Sequence, residues 1–229
     1  MIEAIRLVKI ARDTAVKSHT AAMITLKAVL VTAPDALREQ LEPLTDYRLV
    51  STCAALTTTG PIADPHVAIR HTLRSLAQRW LDLHEEIKTH TAHLKSLTNT
   101  AAPKLIARFG VGFDSAAELL ITAGDNTNRV RNEAAYAKLC GACPIPAGSG
   151  KTNGRHRLNR GGNRQANASL YRIVIVRMRW HPPTIAYVQR RTNEGLTKKD
   201  IIRCLKRYVA REIYNLLPPP QHANITQAA

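Results

Sequence analysis

Residues 146–164 bring together the residue types that handle phosphate groups. The stretch PAGSGKTNGRHRLNRGGNR holds five glycines, five lysines or arginines, and no acidic residue. Glycine lets backbone N–H groups approach a phosphate, and lysine and arginine neutralise its charge. Such a segment can bind a nucleotide, bind the backbone of a nucleic acid, or catalyse a reaction at a phosphate. A flexible basic loop without a ligand is the simplest alternative.

The spacing of this stretch argues against a nucleotide site. A P-loop requires a glycine five residues before its Gly-Lys pair, but the residue five before Gly150 is Ile145. A P-loop also follows a buried strand, which the prolines at 144 and 146 disfavour. The segment NGRHR that follows is a poor start for a helix. The sequence therefore does not predict an ATP site.

The net charge of the chain favours a polyanionic partner. Its 229 residues include 33 Lys or Arg and 17 Asp or Glu, which gives a formal net charge of +16. The excess is clustered, because no acidic residue occurs from Ala134 to Asn193. A charge that only keeps a protein soluble explains such clustering poorly, so we expect a nucleic acid as the partner.

The sequence predicts neither a membrane segment nor a metal site. No apolar run is long enough to span a bilayer, and the amphipathic start MIEAIRLVKIARD is unlike a signal peptide, so we expect a cytoplasmic protein. Cys140 and Cys143 form a CxxC pair, but no second pair completes a zinc site. We expect these cysteines to fill small buried spaces, and we expect no cofactor in this chain.

Hydrophobic periodicity predicts a mostly α fold, because no segment shows convincing strand alternation. Long coiled-coil-like helices come first, and a helical domain follows. The predicted helices cover residues 2–32, 35–44, 65–97, 131–140, 163–180, 183–193 and 197–217, and a short helix lies within 46–64. In the last long helix, Thr197 is the predicted N-cap. One face of that helix carries Ile201, Leu205, Val209 and Ile213, and the polar face carries Lys199, Arg203, Lys206, Arg207 and Arg211.

An apolar seam runs along the predicted helix 65–97 for four heptads. The seam positions are Ile69, Leu73, Leu76, Trp80, Leu83, Ile87, His90, Leu94 and Leu97. We interpret His90 as a polar residue of the seam and not as a metal ligand. The partner of the seam is either the helix of residues 2–32, folded back antiparallel, or a second chain. We expect a homo-oligomer formed through this helix.

The segment LIARFGVGFDSAAELLITAG is typical of a helix-hairpin-helix. Two short apolar helices flank Gly110-Val111-Gly112, and the apolar residues Leu105, Val111, Ala116, Leu119 and Leu120 lie where that unit places them. Its glycines let backbone N–H groups approach a phosphate, and the following helix N-terminus adds a partial positive charge. Such contacts hold DNA without reading its sequence. An ordinary pair of core helices is the alternative.

The blocks from this segment onward resemble one known family. After the Gly-Val-Gly turn come RNEAAYAKLCGACPIP, then Ser149-Gly150, then RHRLNRGGNRQANASLYRIVIVRMR, AYVQRRTNEGL and IIRCLKRYVAREIY. Their order and spacing resemble the C-terminal half of transposases of the insertion-sequence-110 type, the bridge-RNA-guided DNA recombinases. The resemblance covers residues 100–217. It implies DNA as a partner and a guide RNA as a possible second one.

The resemblance also implies a site. The family's catalytic serine, which attacks DNA and joins it covalently, falls at Ser149. The basic residues Lys151, Arg155, Arg157, Arg160 and Arg164 are then expected to contact phosphate, as are Gly110 and Gly112. Arginine and lysine near the attacked group can stabilise the charge that develops on it. No residue of the loop is an obvious general base, and His156 is expected to contact phosphate instead.

The chain departs from the family before residue 100. The family carries an N-terminal RuvC-like domain with four metal-binding acids, but residues 1–99 predict helices and none of its strands. We expect that domain, and the Mg²⁺ it would bind, to be missing through a truncated gene, an internal start or a split protein. The expected domains are linker helices over 1–99, the transposase domain with its helix-hairpin-helix over 100–217, and a disordered tail over 218–229.

Two main functions follow from these expectations. The first is the serine-bearing half of a transposase that attacks a phosphodiester. The second is a catalytically inactive remnant that still binds DNA or RNA. A helix-hairpin-helix accessory of DNA repair is a third possibility, but it leaves the basic stretch around Ser149 unexplained.

Overall fold

The computed structural model describes residues 1–124, 130–148, 150, 156–157, 159 and 161–218. Within these residues the fold is mostly α, as predicted, with ten helices and a two-stranded hairpin. The helices are α1 (Ile2–Val31), α2 (Asp35–Leu41), α3 (Asp46–Ala54), α4 (Pro65–Ala101), α5 (Pro103–Ile106), α6 (Phe113–Ala123), α7 (Glu133–Leu139), α8 (Arg164–Trp180), α9 (Pro182–Asn193) and α10 (Lys198–Tyr214). Strands β1 (Ile145–Pro146) and β2 (His156–Arg157) lie between α7 and α8.

The chain divides into two compact units. The central unit is Val8–His93, and the terminal unit combines Met1–Leu7 with Leu94–Ala229. The functional boundary expected between residues 99 and 100 stays a prediction. None of the helices in the described part of the chain combines the length and the apolarity needed to span a bilayer.

In the central unit, α1 and α4 lie antiparallel to one another. Arg12 Nε donates a hydrogen bond of 3.0 Å to Thr91 Oγ1, and further along α1 the ring of His19 lies 4.1 Å from that of Trp80. Leu73 and Trp80 of the predicted seam are buried in this unit. Their core also takes residues from α1, α2 and α3, which include Leu26, Leu30, Leu41, Leu49, Val50 and Cys53.

The other seam positions of α4 vary in burial, and Leu94 is fully buried. Leu83, Ile87 and His90 are half-buried, and His90 Nε2 lies 3.5 Å from Glu86 Oε1 on the same helix. The antiparallel partner that the sequence left open is therefore present within one chain, where residues 12–19 of α1 face residues 80–91 of α4. Self-association through the half-buried seam positions stays a prediction.

The terminal unit is built around α8. Helices α6, α9 and α10 pack against α8, and α7 packs against α10. The predicted apolar face of α10 is confirmed, because Ile201, Leu205, Val209 and Ile213 are all buried. The predicted N-cap is confirmed as well, since Thr197 Oγ1 accepts a hydrogen bond from the Asp200 N–H.

Candidate nucleic-acid interface

The basic stretch 146–164 includes strand β2 of the hairpin β1–β2. At the base of this hairpin, the backbone at Gly162 crosses the backbone at Gly141. The strands pair antiparallel, with Ile145 opposite Arg157 and Pro146 opposite His156. Before β1 the chain turns at Gly141, which has φ +65°, and after β2 it passes the same point at Gly162. A Cβ atom on Gly162 would lie 2.2 Å from the Gly141 nitrogen, so the backbones are in direct contact.

Asparagine side chains hold this crossing. Asn167 Nδ2 on α8 donates to the carbonyls of Cys140 at 3.0 Å and Gly141 at 2.9 Å. Asn159 Nδ2 donates to the Lys138 carbonyl at 3.2 Å and lies 3.3 Å from Cys143 Sγ. These carbonyls lie at the end of α7, where a helix lacks some of its own donors. The Lys138 carbonyl also accepts from the Gly141 N–H at 3.0 Å, and the asparagine amides add donors that fix the start of the hairpin.

A third asparagine begins α8. Asn163 Oδ1 caps the helix by accepting from the N–H groups of Gln165 at 2.8 Å and Ala166 at 3.1 Å. The Asn163 N–H donates to the Leu139 carbonyl at 2.7 Å, which ties the α8 start to the α7 end. The segment 142–161 is thus a loop whose two ends are bound together by backbone and side chains.

The structure describes only part of the predicted site. Ser149, Lys151, Arg155 and Arg160 lie outside the described residues. Arg157 on β2 and Arg164 at the first position of α8 are both exposed, and neither makes an ion pair within the part of the chain that is described. Gly150 has φ +52°, and nothing lies within 4 Å of the position that a Cβ atom would take there. Exposed guanidinium groups such as these can contact an anionic ligand.

A cavity of about 660 Å³ lies beside the base of the hairpin, and we call it the hairpin pocket. The α7–β1 connection and β2 form one wall, and α10 with the end of α9 forms the other. The lining residues are Gly141, Ala142, Cys143, Pro144, His156, Arg157, Arg191, Leu196, Asp200, Arg203, Cys204, Lys206, Arg207 and Tyr208. Five of these side chains are Lys or Arg and one is acidic, so the wall is basic.

One of these cations is not where the sequence placed it. Lys206 was expected on the polar face of α10, but it is buried, with 7% of its surface exposed, and its Nζ donates to Asn167 Oδ1 at 2.9 Å. Lys206 lies next to Leu205 at the border of the apolar face, and its long stem packs inward. Burial, and then the charge of Arg203, lower the pKa of its ammonium.

Two arginines on the polar face of α10 form hydrogen bonds with the carboxylate of Glu133. Arg207 Nη2 and Arg211 Nε donate to Glu133 at 3.0 and 2.5 Å. Hydrogen bonds from Arg207 and then Arg211 lower the pKa of the Glu133 carboxyl to about 2. This cluster joins α10 to the first turn of α7, and it positions the helix that precedes the hairpin.

The two glycines of the predicted helix-hairpin-helix turn differ in their surroundings. Gly110 packs against α8, whereas no atom lies near the missing Cβ of Gly112. Gly110 has φ +77°, and a Cβ atom there would lie 3.4 Å from Arg177 Cγ and from the Ile173 carbonyl of α8. Gly112 is the N-cap of α6, its side chain position is open, and no side chain caps the helix. The five apolar positions expected of the unit are buried, but α5 is a single turn of four residues.

Arg177 fixes this turn to the rest of the unit. Its Nε donates to the Phe109 carbonyl at 2.9 Å, and Nη1 and Nη2 donate to the two oxygens of Glu212 at 2.6 and 3.2 Å. One buried guanidinium therefore joins the turn before α6 to α8 and α10. This contact joins the turn to α10, which also lines the hairpin pocket.

Comparison with known proteins identifies this part of the chain. Residues 102–189 match the sequence model of the Transposase IS116/IS110/IS902 family. This segment is therefore similar to an IS110-type transposase domain. A curated relative, the Insertion element IS110 uncharacterized 43.6 kDa protein of Streptomyces coelicolor, is 28% identical over 145 residues. That match covers 62% of the present chain and 36% of the relative, so it spans about a third of the relative's length.

The matched segment contains both ends of the hairpin and all three asparagines that hold them. Its match begins at Ala102, just before α5, and ends at Gln189 within α9. Helix α10 lies beyond the matched residues, but it supplies Lys206 and Arg207 to the hairpin pocket. The pocket is therefore completed by a helix that the family match does not include.

Cysteine and metal chemistry have little support in the described residues. Cys140 is fully buried, and burial raises the pKa of its thiol to about 12, which fits the expected small-residue role. Among the described residues, no group of three or more His, Cys, Asp or Glu side chains could hold a metal ion.

Proposed function

We propose that the chain is the serine-bearing part of an insertion-sequence transposase that binds DNA through its phosphates and joins Ser149 to a DNA phosphate. The observation that carries the proposal is the hairpin. A segment inside the transposase domain, rich in basic residues, is held at both ends by the Gly141–Gly162 crossing and the asparagines. A pinned loop can present a nucleophile and cations to a phosphate in a fixed arrangement.

The chemistry is a transesterification. The Ser149 oxygen attacks phosphorus and loses its proton, a new P–O bond forms, and the bond from phosphorus to the DNA leaving oxygen breaks. That oxygen takes a proton, so one phosphodiester is exchanged for another. A free hydroxyl is a weak nucleophile and requires a proton acceptor. Lys151, Arg155, Arg157 and Arg160 would stabilise the charge that develops on the phosphate oxygens.

DNA binding would depend on contacts with the phosphates, which are the same for every base sequence. Arg157 and Arg164 are exposed without a carboxylate partner in the described part of the chain, and the N-terminus of α6 at Gly112 is open. Arginine side chains and helix N-termini both favour phosphate. If about six phosphates are neutralised, affinity should fall by roughly a thousandfold from about 50 to 200 mM salt. Replacement of Arg157 and Arg160 together should weaken binding to all DNA sequences equally.

The proposal extends to two further partners. One is a guide RNA, which would meet the same basic surface. The other is a second copy of the chain, held by the half-buried seam residues Leu83, Ile87 and Leu97 of α4. Analytical ultracentrifugation of the whole chain at micromolar concentration should show a dimer or larger species. A monomer would mean that these residues are covered within one chain.

The covalent step is tested with Ser149→Ala. The assay supplies a RuvC-like domain, Mg²⁺ and a guide RNA, or a pre-nicked synaptic DNA, and a denaturing gel then detects a protein–DNA adduct. The wild type should form the adduct and Ser149→Ala should not, although both bind DNA alike. Thr152→Ala removes a neighbouring hydroxyl and should keep the adduct. An adduct that persists in Ser149→Ala, or that maps to another residue, contradicts the assignment. Binding without an adduct in the wild type favours the inactive remnant.

A further inference from the structure

The hairpin pocket holds two cations that no carboxylate neutralises within the described residues. The three arginines that α9 and α10 contribute to its wall are already paired. Arg191 pairs with Glu194, Arg203 with Asp200 at 2.8 Å, and Arg207 with Glu133 at 3.0 Å. Lys206 and Arg157 remain without an acidic partner in the described part of the chain. Lys206 and Arg157 are therefore the two lining residues whose charge no described carboxylate neutralises.

Lys206 has unused hydrogen-bonding capacity in a buried position. An ammonium group has three N–H donors. Within the described residues Lys206 donates one hydrogen bond, to Asn167 Oδ1 at 2.9 Å, and 93% of its surface is removed from solvent, since 7% is exposed. A buried charge is costly unless it is paired, so an anion in the pocket would relieve this cost. The lowered pKa of Lys206 is in keeping with a cation that lacks such a partner.

We propose that the hairpin pocket binds one phosphate group of the nucleic-acid backbone, with Lys206 as its buried cation and Arg157 as its outer cation. This inference rests on the proposed nucleic-acid binding and assigns one phosphate to one cavity. Arg157 is exposed on β2 and Lys206 lies on α10, so the phosphate would bridge the two walls of the pocket. Charge-assisted hydrogen bonds from two directions fix a phosphate more firmly than a single surface contact does.

Lys206 connects the proposed phosphate site to the hairpin through the side chain of Asn167. Asn167 accepts from Lys206 through Oδ1, and it donates through Nδ2 to the carbonyls of Cys140 and Gly141. The Asn167 side chain therefore contacts both Lys206 and the backbone at the start of the hairpin. A phosphate bound at Lys206 would lie at the base of the segment that carries Ser149, and it would connect occupancy of the pocket to the position of that segment.

The test compares Lys206→Met with Lys199→Met. Both variants remove one positive charge from α10, but Lys199 is exposed and does not line the pocket. The probe is a fluorescein-labelled DNA duplex, with Kd measured by anisotropy over a range of salt concentrations. Lys206→Met should weaken binding about tenfold or more and lower the salt slope by about 1. Lys199→Met should change Kd less than threefold or so, as expected for an unpaired surface charge.

The outcomes distinguish failure of the pocket site from failure of the proposed DNA binding. Equal effects of Lys206→Met and Lys199→Met overturn the pocket site and leave general DNA binding intact. A lower Tm for Lys206→Met with an unchanged salt slope also overturns it, because Lys206 then only orients Asn167. Wild-type protein that shows no salt-dependent binding contradicts the proposed function itself.

A second measurement follows binding in the wild-type chain and uses one conservative variant only to assign the lysine signal. Lysine side chains labelled with ¹³C at Cε are followed by NMR during titration with inorganic phosphate and with the DNA duplex. The buried Lys206 signal, assigned through its absence in Lys206→Arg, should shift with the duplex at lower concentration than with inorganic phosphate. A shift with free phosphate alone assigns the pocket to a small anion and overturns the nucleic-acid inference. A signal that is unmoved by either probe overturns the site.

Discussion

Gly162 crosses Gly141 so closely that a Cβ atom on Gly162 would lie 2.2 Å from the Gly141 nitrogen and 2.3 Å from its Cα. The same atom would lie 3.0 Å from the Lys138 carbonyl oxygen. These neighbours are backbone atoms that cannot rotate away, so any side chain at position 162 must separate the two ends of the hairpin. The glycine-rich run after β2 therefore contributes to chain crossing as well as to any contact with phosphate.

Gly162→Ala should open the base of the hairpin. We expect a loss of about 1–3 kcal/mol of unfolding free energy, measured by urea denaturation, because an added methyl group in a filled space forces backbone shifts. Gly161→Ala is the matched control, since its Cβ atom would meet only Asn159 Oδ1, at 3.5 Å. That variant should be neutral or slightly more stable. Equal stability of the two variants would contradict the crossing.

Arg177→Met should destabilise the terminal unit. The change removes the Arg177 donor from the Phe109 carbonyl and from the Glu212 carboxylate, which keeps only Arg108 at 3.6 Å. Loss of these part-buried hydrogen bonds should cost about 1–3 kcal/mol. Arg172→Met is the control on the same helix, because Arg172 is exposed and its ion pair with Asp114 is 3.2 Å long. We expect that control to lose less than about 1 kcal/mol in the same urea experiment. If Arg172→Met costs as much as Arg177→Met, the guanidinium is not the link between the turn and α10.

The low pKa of Glu133 should make the free energy of unfolding depend on pH in the acid range. Its folded pKa of about 2 lies below the ordinary value of 4.5, so its stabilising effect is complete above about pH 4.5 and is lost as the pH falls towards 2. NMR titration of the side-chain carboxyl should give the low pKa directly. Glu133→Gln should be less stable than the wild type at neutral pH, and the difference should shrink between pH 4.5 and 2. A pKa near 4.5 would mean that Arg207 and Arg211 do not hold the carboxylate in solution.

The helices could be predicted from the sequence because their determinants are local. The 3.6-residue period places Ile201, Leu205, Val209 and Ile213 on one face, and all four are buried. Thr197 could be predicted as the N-cap for the same reason, since its acceptor role depends on a residue three positions away.

The hairpin and its pocket could not be predicted, because their determinants are distant in sequence. Two-residue strands are too short to show an alternation, and the contact of Gly141 with Gly162 joins positions on either side of the whole loop. Lys206 was assigned to the polar face because its neighbours Arg203 and Arg207 lie there. Its burial depends on Asn167, 39 residues earlier in the chain, which no local pattern indicates.

Substitutions at Gly112 should separate DNA binding from folding at the predicted helix-hairpin-helix. Gly112 is the N-cap of α6 in an extended conformation, with φ −82° and ψ 160°, and nothing lies within 4 Å of its missing Cβ. Asn and Asp are both better N-caps than glycine, so Gly112→Asn and Gly112→Asp should keep or slightly raise the Tm. Asp114 already lies in the first turn of α6, where it pairs with Arg172. Of the two variants, only Gly112→Asp adds a further negative charge where a DNA phosphate would approach the helix N-terminus.

The expected result for this pair is a difference in DNA affinity without a difference in stability. Gly112→Asp should bind a labelled duplex several-fold more weakly than Gly112→Asn at low salt, and the gap should narrow as salt screens the repulsion. Gly110→Ala is a contrasting variant, because φ +77° and contact with α8 make it a folding defect, with a lower Tm. Equal affinities for the Asn and Asp variants would place the DNA away from this turn and leave the hairpin as the site of phosphate contact.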